Sequence, residues 1–248
     1  MRVFKLTLAY DGTNYSGWQR QSGATTIQET LERTLEKITG ESIRTTASGR
    51  TDAGVHALGQ VVSFASETHL EPEVLVKALN AELPQDIAAL GVEIAPTDFH
   101  AIASAQRKRY RYVIDDGPVR DVFARRYVWQ YRQRLNAAAM HRAAQSLVGT
   151  HDFQSFETAG SPRATSVRTV YELQVERQGG EAGSRVTIDI EADGFLYNMV
   201  RAIVGTLVEV GRGAQPEGWP SKVLAACRRD AAGQTAPPQG LFLVRVDY

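Results

Sequence analysis

Phe4, Leu6, Leu8 and Tyr10 stand on alternate positions, and soon after them Ile27, Leu31, Leu35 and Ile38 recur at helical spacing. A period of two marks a half-buried strand, and a period near 3.6 marks an amphipathic helix. Thr26 and Glu29 fit a capping box before that helix, and Gly40 fits its stop. "SIRTTAS" and "QVVSFAS" read as strands, "EPEVLVKALNAEL" as a helix with Pro72 in its first turn and Pro84 at its end, and "AALGVEIA" as a strand. Near residue 105 the texture repeats. "KRYRYVID" is a strand, "NAAAMHRAAQSLVG" a helix closed by Gly149, and "RTVYELQVERQGGEAGSRVTIDIEA" a hairpin around glycines. "FLYNMVRAIVGTLVEV" reads as a long helix with Leu196, Val200, Ile203, Leu207 and Val210 on one stripe, and "GLFLVRVDY" as a last strand. Hairpins and short connections favour antiparallel sheet over a doubly wound parallel one. The expected fold class is therefore α+β, with two halves, 1–104 and 105–248, packed side by side around a mainly antiparallel sheet. "GQTAPPQG" is the most loop-like segment.

Bulk properties narrow the function. The chain has 248 residues, 43% hydrophobic and 23% charged, enough to bury a substantial core. Lys and Arg number 28, as do Asp and Glu, which excludes a generally basic nucleic-acid binder but leaves room for a local basic patch. The single cysteine, Cys227, rules out an intramolecular disulfide and any CxxC site, and its expected place is buried. "MRVFKLTLAYDG" lacks the apolar h-region of a signal peptide, and the most apolar run carries Arg201 inside it. A cytoplasmic protein with no membrane segment is expected. Phosphate-loop and G-x-G-x-x-G motifs are absent, so no nucleotide cofactor is expected. His56, His69, His100, His141 and His151 are scattered without H-E-x-x-H, and no metal is expected.

Three features carry possible chemistry. From Arg107 to Arg134 stand nine Lys or Arg against three Asp, interleaved with Tyr110, Tyr112, Phe123, Tyr127, Trp129 and Tyr131. Cations that meet phosphates, spaced by rings on which bases stack, suit looped or single-stranded RNA. A half-buried strand pair with aromatics inward and arginines solvated gives the same pattern. Arg201 lies in an apolar helix, where an arginine needs a partner. Tyr197, Arg201 and Gly205 share a face at i, i+4 and i+8, and Gly205 leaves room for another backbone or a ligand. Asp52 belongs to "SGRTDAGVHA". Asp-x-Gly is a turn signature, and a metal pair with His56 is a second reading. Arg50, two residues before Asp52, gives a third: on an extended segment both side chains reach one face, and the guanidinium holds the carboxylate ionised.

"SGRTDAGVHA" resembles the signature of the tRNA pseudouridine synthase A family. The likeness extends in order through "YDGTNYSGWQRQ", "FHA", "KRYRY", "FLYNMVRAIVG" and "AGQTAPPQGLFLVRVDY". The resemblance implies a pseudouridine synthase fold of two α+β halves around a central, mainly antiparallel sheet. It implies isomerisation of uridine to pseudouridine at positions 38, 39 and 40 of the tRNA anticodon stem-loop, by a cytoplasmic homodimer with no cofactor and no metal. Asp52 matches the catalytic aspartate, Arg50 the arginine of the same motif, Tyr110 the active-site tyrosine, and Arg201 the arginine that pairs with the aspartate. One departure stands out: the family's "FHARFSA" is "FHAIASA" here, with Ile102 in place of an arginine.

On that footing Asp52 is the expected nucleophile, attacking C1′ of the ribose or C6 of the uracil or assisting elimination. Tyr110 is expected to stack on the flipped base, and Arg107, Arg109 and Arg111 to contact the RNA. An RNA-binding module without catalysis, a metal-dependent hydrolase using Asp52 and His56, and a synthase acting on another RNA are the alternatives.

Overall fold

Strand β1 (Arg2–Tyr10) buries Phe4, Leu6, Leu8 and Tyr10, the four residues of the alternating pattern. The computed structural model describes residues 1–158, 165–179 and 184–248. Its contacts divide the chain into one unit of Met1–Gln106 with Phe242–Tyr248 and a second of Arg107–Leu241.

In the first unit β1 is followed by α1 (Ile27–Thr39), β2 (Thr46–Ala47), β3 (His56–Ser66), α2 (Pro72–Glu82) and β4 (Ile87–Ala95). β1 lies between β3 and β4 and is antiparallel to both. The Thr26 hydroxyl accepts the Glu29 N–H at 3.3 Å, and Gly40 closes α1 at φ 74°, as the capping box and C-terminal glycine predict. α1 buries Ile27, Leu31 and Leu35, each worth about 1.5–3 kcal/mol of transfer free energy. "SIRTTAS" yields only the two residues of β2. The Thr45 N–H goes instead to the Glu32 carboxylate at 2.9 Å, and the Thr45 carbonyl takes Gln28 Nε2 at 3.0 Å. Side chains of α1 thus replace the ladder bonds that would lengthen the strand.

The second unit comprises β5 (Arg107–Asp115), β6 (Trp129–Gln130), α3 (Ala137–Ala144), β7 (Gly149–Asp152), β8 (Val167–Gln178), β9 (Arg185–Ala192), α4 (Met199–Gly211) and α5 (Trp219–Ala226). β5, β9, β8 and β7 form an antiparallel series, and β6 adds two residues parallel to β5. The glycines expected to turn the β8–β9 hairpin fall partly on 180–183, outside the described residues. Just after β5, Asp116 is closed from solvent and takes Arg177 Nη2 at 2.7 Å, Arg134 Nη1 at 3.1 Å and the Leu135 N–H at 2.8 Å.

Two expectations are corrected. The apolar helix starts at Met199 rather than Phe195, because Asn198 adopts φ 62°, a left-handed conformation that cannot continue a right-handed helix. Tyr197 therefore lies outside the helix and does not share a helical face with Arg201. Cys227 is exposed, not buried: it ends α5 in a left-handed conformation with φ 47°. The last strand, expected from "GLFLVRVDY", is β10 (Leu241–Asp247), and it runs parallel to β3 with Phe242 opposite His56 and Leu243 opposite Ala57. The Phe242 ring stacks on His56 at 4.8 Å, and the Tyr248 hydroxyl donates to the Ala101 carbonyl at 2.8 Å. The spacing of a terminal strand carries no sign of the edge it joins. Among the described residues no helix is long and apolar enough to cross a membrane.

Candidate active site

Asp52 lies on the connection between β2 and β3, half-buried, at the first position of a turn in which its carbonyl accepts the Val55 N–H at 3.1 Å. Gly54, at φ 77°, occupies the turn position that requires positive φ, so the Asp-x-Gly signature does form a turn. Turn formation and chemistry are compatible here, since the turn closes through the backbone carbonyl of Asp52.

The neighbours of Asp52 are fixed from both sides. Gln60, fully buried on β3, donates to the Gly49 carbonyl at 2.9 Å and accepts from the Ser48 hydroxyl at 2.7 Å. The Tyr10 hydroxyl shares a hydrogen bond with Thr51 Oγ1 at 2.8 Å, and the Trp18 N–H donates to the Thr51 carbonyl at 3.0 Å. Burial pushes the Tyr10 phenol up to about 12, so it stays neutral and keeps its proton for this contact. Tyr15, buried and donating to Asp86 at 2.6 Å, is likewise pushed well above the usual phenol range, by burial first and by that bond second.

Glycine explains why "YDGTNYSGW" and "GRTDAGVH" travel together. A Cβ on Gly12 would stand 2.0 Å from the Val55 carbonyl oxygen, and one on Gly17, itself at φ 84°, would stand 2.7 Å from the Thr51 carbonyl. Both clashes are with backbone, which cannot swing away as a side chain can. The two segments are two halves of one clamp on the aspartate loop. Tyr10, Gly12, Gly17 and Gln60 thus belong to the site. Sequence reasoning passed over them as site residues, although all but Gln60 stand in the quoted "YDGTNYSGWQRQ" segment.

Arg50 is exposed and makes no ion pair among the described residues. His56 is buried, with Nδ1 facing the Gly12 N–H and the Asp11 carboxylate, each at 3.1 Å. Among the described residues no group of three or more His, Cys, Asp or Glu could hold a metal. Ile102 is exposed, on a turn capped by His100 Nδ1, which accepts the Ile102 and Ala103 N–H groups at 3.2 and 3.3 Å.

In the second unit Tyr110 sits mid-strand on β5 opposite Ile190, largely buried, with its ring edge-on to Phe195 at 5.0 Å. Tyr112 and Lys108 point to the same side of the strand. Burial, then the charge of Arg168, lowers the Lys108 pKa. Arg201 is in the first turn of α4, where a cation opposes the helix dipole. Its Nε donates to the Ala236 carbonyl at 2.7 Å and its Nη1 to Asn198 Oδ1 at 2.8 Å, and its own carbonyl accepts the Ala236 N–H at 3.0 Å. A left-handed Asn198 beside a cation at the wrong helix end is a local cost of the kind that functional sites retain.

"GQTAPPQG" is no loose tail. A Cβ on Gly205 would stand 1.7 Å from the Gln234 carbonyl oxygen, so the strap lies directly on α4, and its Ala236 carbonyl holds the Arg201 guanidinium. Gly205→Ala is expected to lower stability by about 1–3 kcal/mol despite the better helix propensity of alanine, and to lower kcat with it. Chemical denaturation beside single-turnover kinetics measures both; a more stable and fully active variant contradicts the assignment of the strap.

Arg107, Arg109 and Arg111 project from the other side of β5, each toward carboxylates of neighbouring strands. Arg107 lies 3.4 Å from Glu191 and over the Tyr171 ring at 4.4 Å. Arg109 pairs with Glu172 and, at 3.2 Å, with Glu191. Arg111 grips Asp189 through Nε at 3.0 Å and Nη2 at 3.2 Å. This arrangement has the form of the half-buried strand pair, with the cations neutralised across the sheet.

The model of a family described as tRNA pseudouridine synthase matches residues 7–102 and 143–248. The chain is 52% identical over 252 residues to the tRNA pseudouridine synthase A of Moorella thermoacetica, with all of both chains covered. It is 46% identical over 248 residues to the protein of that name from Brevibacillus brevis and 44% identical over 248 residues to that from a Thermoanaerobacter species, again with full coverage of both chains. Matched in both units by the family model and end to end by these relatives, the chain belongs to the tRNA pseudouridine synthase family and is an isomerase.

Proposed function

We propose that this chain isomerises uridine to pseudouridine at positions 38, 39 and 40 of the tRNA anticodon stem-loop, with Asp52 as nucleophile. The reaction breaks the N1–C1′ bond and forms C5–C1′, while one proton leaves C5 and one arrives at N1. Nothing else is gained or lost, so the demands on the protein are a nucleophile, control of developing charge, and a route for that proton. The observation that carries the reading is the clamp on the Asp52 loop: Gln60 at Gly49, Tyr10, Trp18 and Gly17 at Thr51, and Gly12 at Val55 hold the residues on either side of the aspartate. An aspartate that served only to turn the chain has no need of so many anchors, and a nucleophile does, because misplacement by an ångström is costly in rate.

Arg201, held by Ala236 and Asn198, supplies fixed positive charge for the developing anion. Tyr110 stacks on the flipped uracil, worth about 1–3 kcal/mol against an unstacking cost of a few kcal/mol. Arg107 and Arg111, exposed at one edge while paired at the other, contribute weakly to RNA affinity, and Arg109 chiefly braces Glu172 and Glu191. The family resemblance also supports a cytoplasmic homodimer.

The experiment is pseudouridine mapping on unmodified tRNA transcripts with the full chain. Wild type is expected to modify positions 38–40 and no other uridines. Tyr110→Phe, which keeps the ring and removes the hydroxyl, is expected to retain tRNA affinity within about twofold, and any loss of rate then reports proton handling by the hydroxyl. Modification confined to other positions overturns the substrate assignment.

A further inference from the structure

The segment between β5 and α3 carries cations of a different kind from those on β5. Arg120, Arg125 and Arg132 are exposed and line one cleft of about 750 Å³, whose walls include Trp129, Gln130 and Pro237. None of the three makes an ion pair among the described residues; Arg125 Nη1 donates to the Val122 carbonyl at 2.6 Å. The one carboxylate in the cleft, Asp121, is turned to other uses. It accepts the Phe123 and Ala124 N–H groups at 2.9 and 3.1 Å and Arg185 Nη2 at 3.0 Å. The wall is firm, because Gln130 Nε2 donates to the carbonyls of Asp115 and Gly117 at 3.1 and 3.3 Å. On the same segment, between Arg120 and Arg125 in sequence, Phe123 is 89% exposed.

We propose that this cleft takes backbone phosphates of the tRNA substrate, so that Arg120, Arg125 and Arg132, rather than the arginines of β5, supply most of the electrostatic grip. The inference rests on the tRNA reading and deepens it. The charge of Arg107, Arg109 and Arg111 is answered by Glu191, Glu172 and Asp189, so bringing a phosphate to them means competing with a carboxylate already in place. No carboxylate among the described residues pairs with Arg120, Arg125 or Arg132, so a phosphate there displaces solvent counterions, whose release drives polyanion binding. An exposed ring on the same segment as these guanidinium groups suits a polynucleotide, which offers both phosphates and bases.

The test compares tRNA affinity across 50–200 mM salt for wild type, for the triple variant Arg120→Gln, Arg125→Gln, Arg132→Gln, and for the double variant Arg107→Gln, Arg111→Gln. Each lost phosphate contact lowers the slope of log K against log salt by about 0.7–0.9. The triple variant is expected to lose about two units of slope, and the double variant less than about one. All three substituted side chains are exposed, and equal melting temperatures confirm that the variants fold. A triple variant with the wild-type slope overturns the proposal, as does a double variant that loses more slope than the triple. Pseudouridine mapping on the same wild-type samples separates the two claims: absent modification sinks the functional reading, whereas normal modification with an unchanged slope sinks only the cleft.

Discussion

Asp52→Asn is expected to lower the single-turnover rate of pseudouridine formation by about 10³-fold or more, while tRNA affinity stays within about threefold of wild type. Asparagine has the shape of aspartate but is a very poor nucleophile. The turn at 52–55 closes through the Asp52 carbonyl, which the substitution leaves in place. The anchors of the loop act on Gly49 and Thr51, so the segment keeps its course when the carboxylate is lost. On the proposed reading, RNA binding depends on phosphate contacts elsewhere and is largely insensitive to one group at the reacting base. Rapid-quench kinetics on a transcript with a single target uridine, beside filter binding, separates the two quantities. Full turnover in a folded Asp52→Asn protein would falsify the nucleophile assignment.

The largest expected effect on stability is at Asp116. Its carboxylate is closed from solvent, and Arg177, itself only 10% exposed, pairs with it at 2.7 Å. Removing one member of a buried pair leaves an uncompensated charge, at a cost of about 3–5 kcal/mol. Asp116→Ala is therefore expected to lower the melting temperature by roughly 6–20 °C. A smaller loss in Asp116→Ala combined with Arg177→Met would identify the stranded guanidinium as the cause. The effect is pH-dependent with a definite sign. Burial pushes the Asp116 carboxyl up, but the bonds from Arg177 and the Leu135 N–H, with the charges of Arg177 and Arg134, more than offset it and hold the pKa below the usual carboxylate range. A group with a depressed native pKa stabilises the fold fully above its unfolded pKa, about 3.9, and loses that contribution as pH falls through this value toward the native one. The gap between wild type and Asp116→Ala is accordingly widest near neutrality and narrows below about pH 4. A gap constant down to pH 2 contradicts this account.

Much of the local structure was legible in residue order. The alternation at Phe4–Tyr10 and the Thr26 cap with its Gly40 stop depend on neighbours a few positions apart, and period and capping chemistry report such neighbours directly. β6, β7 and α5 are too short to establish a period. The start of α4 was misread because the stripe through Leu196 is apolar, while the break rests on the φ of a single asparagine. At the candidate site, sequence named the side chains proposed for the chemistry: Asp52 in a glycine-rich turn, Arg201 in an apolar helix, Tyr110 on a basic strand. It could not show what holds them or which cations are spent. That Gly12 and Gly17 close on the aspartate loop, that a Pro-rich strap presents the Ala236 carbonyl to Arg201, and that Glu172, Asp189 and Glu191 answer the arginines of β5 are all contacts between residues distant in the chain. A side chain's chemistry is a property of its own atoms, so sequence suffices to name it; its placement and its net charge depend on partners that only the tertiary fold brings within reach.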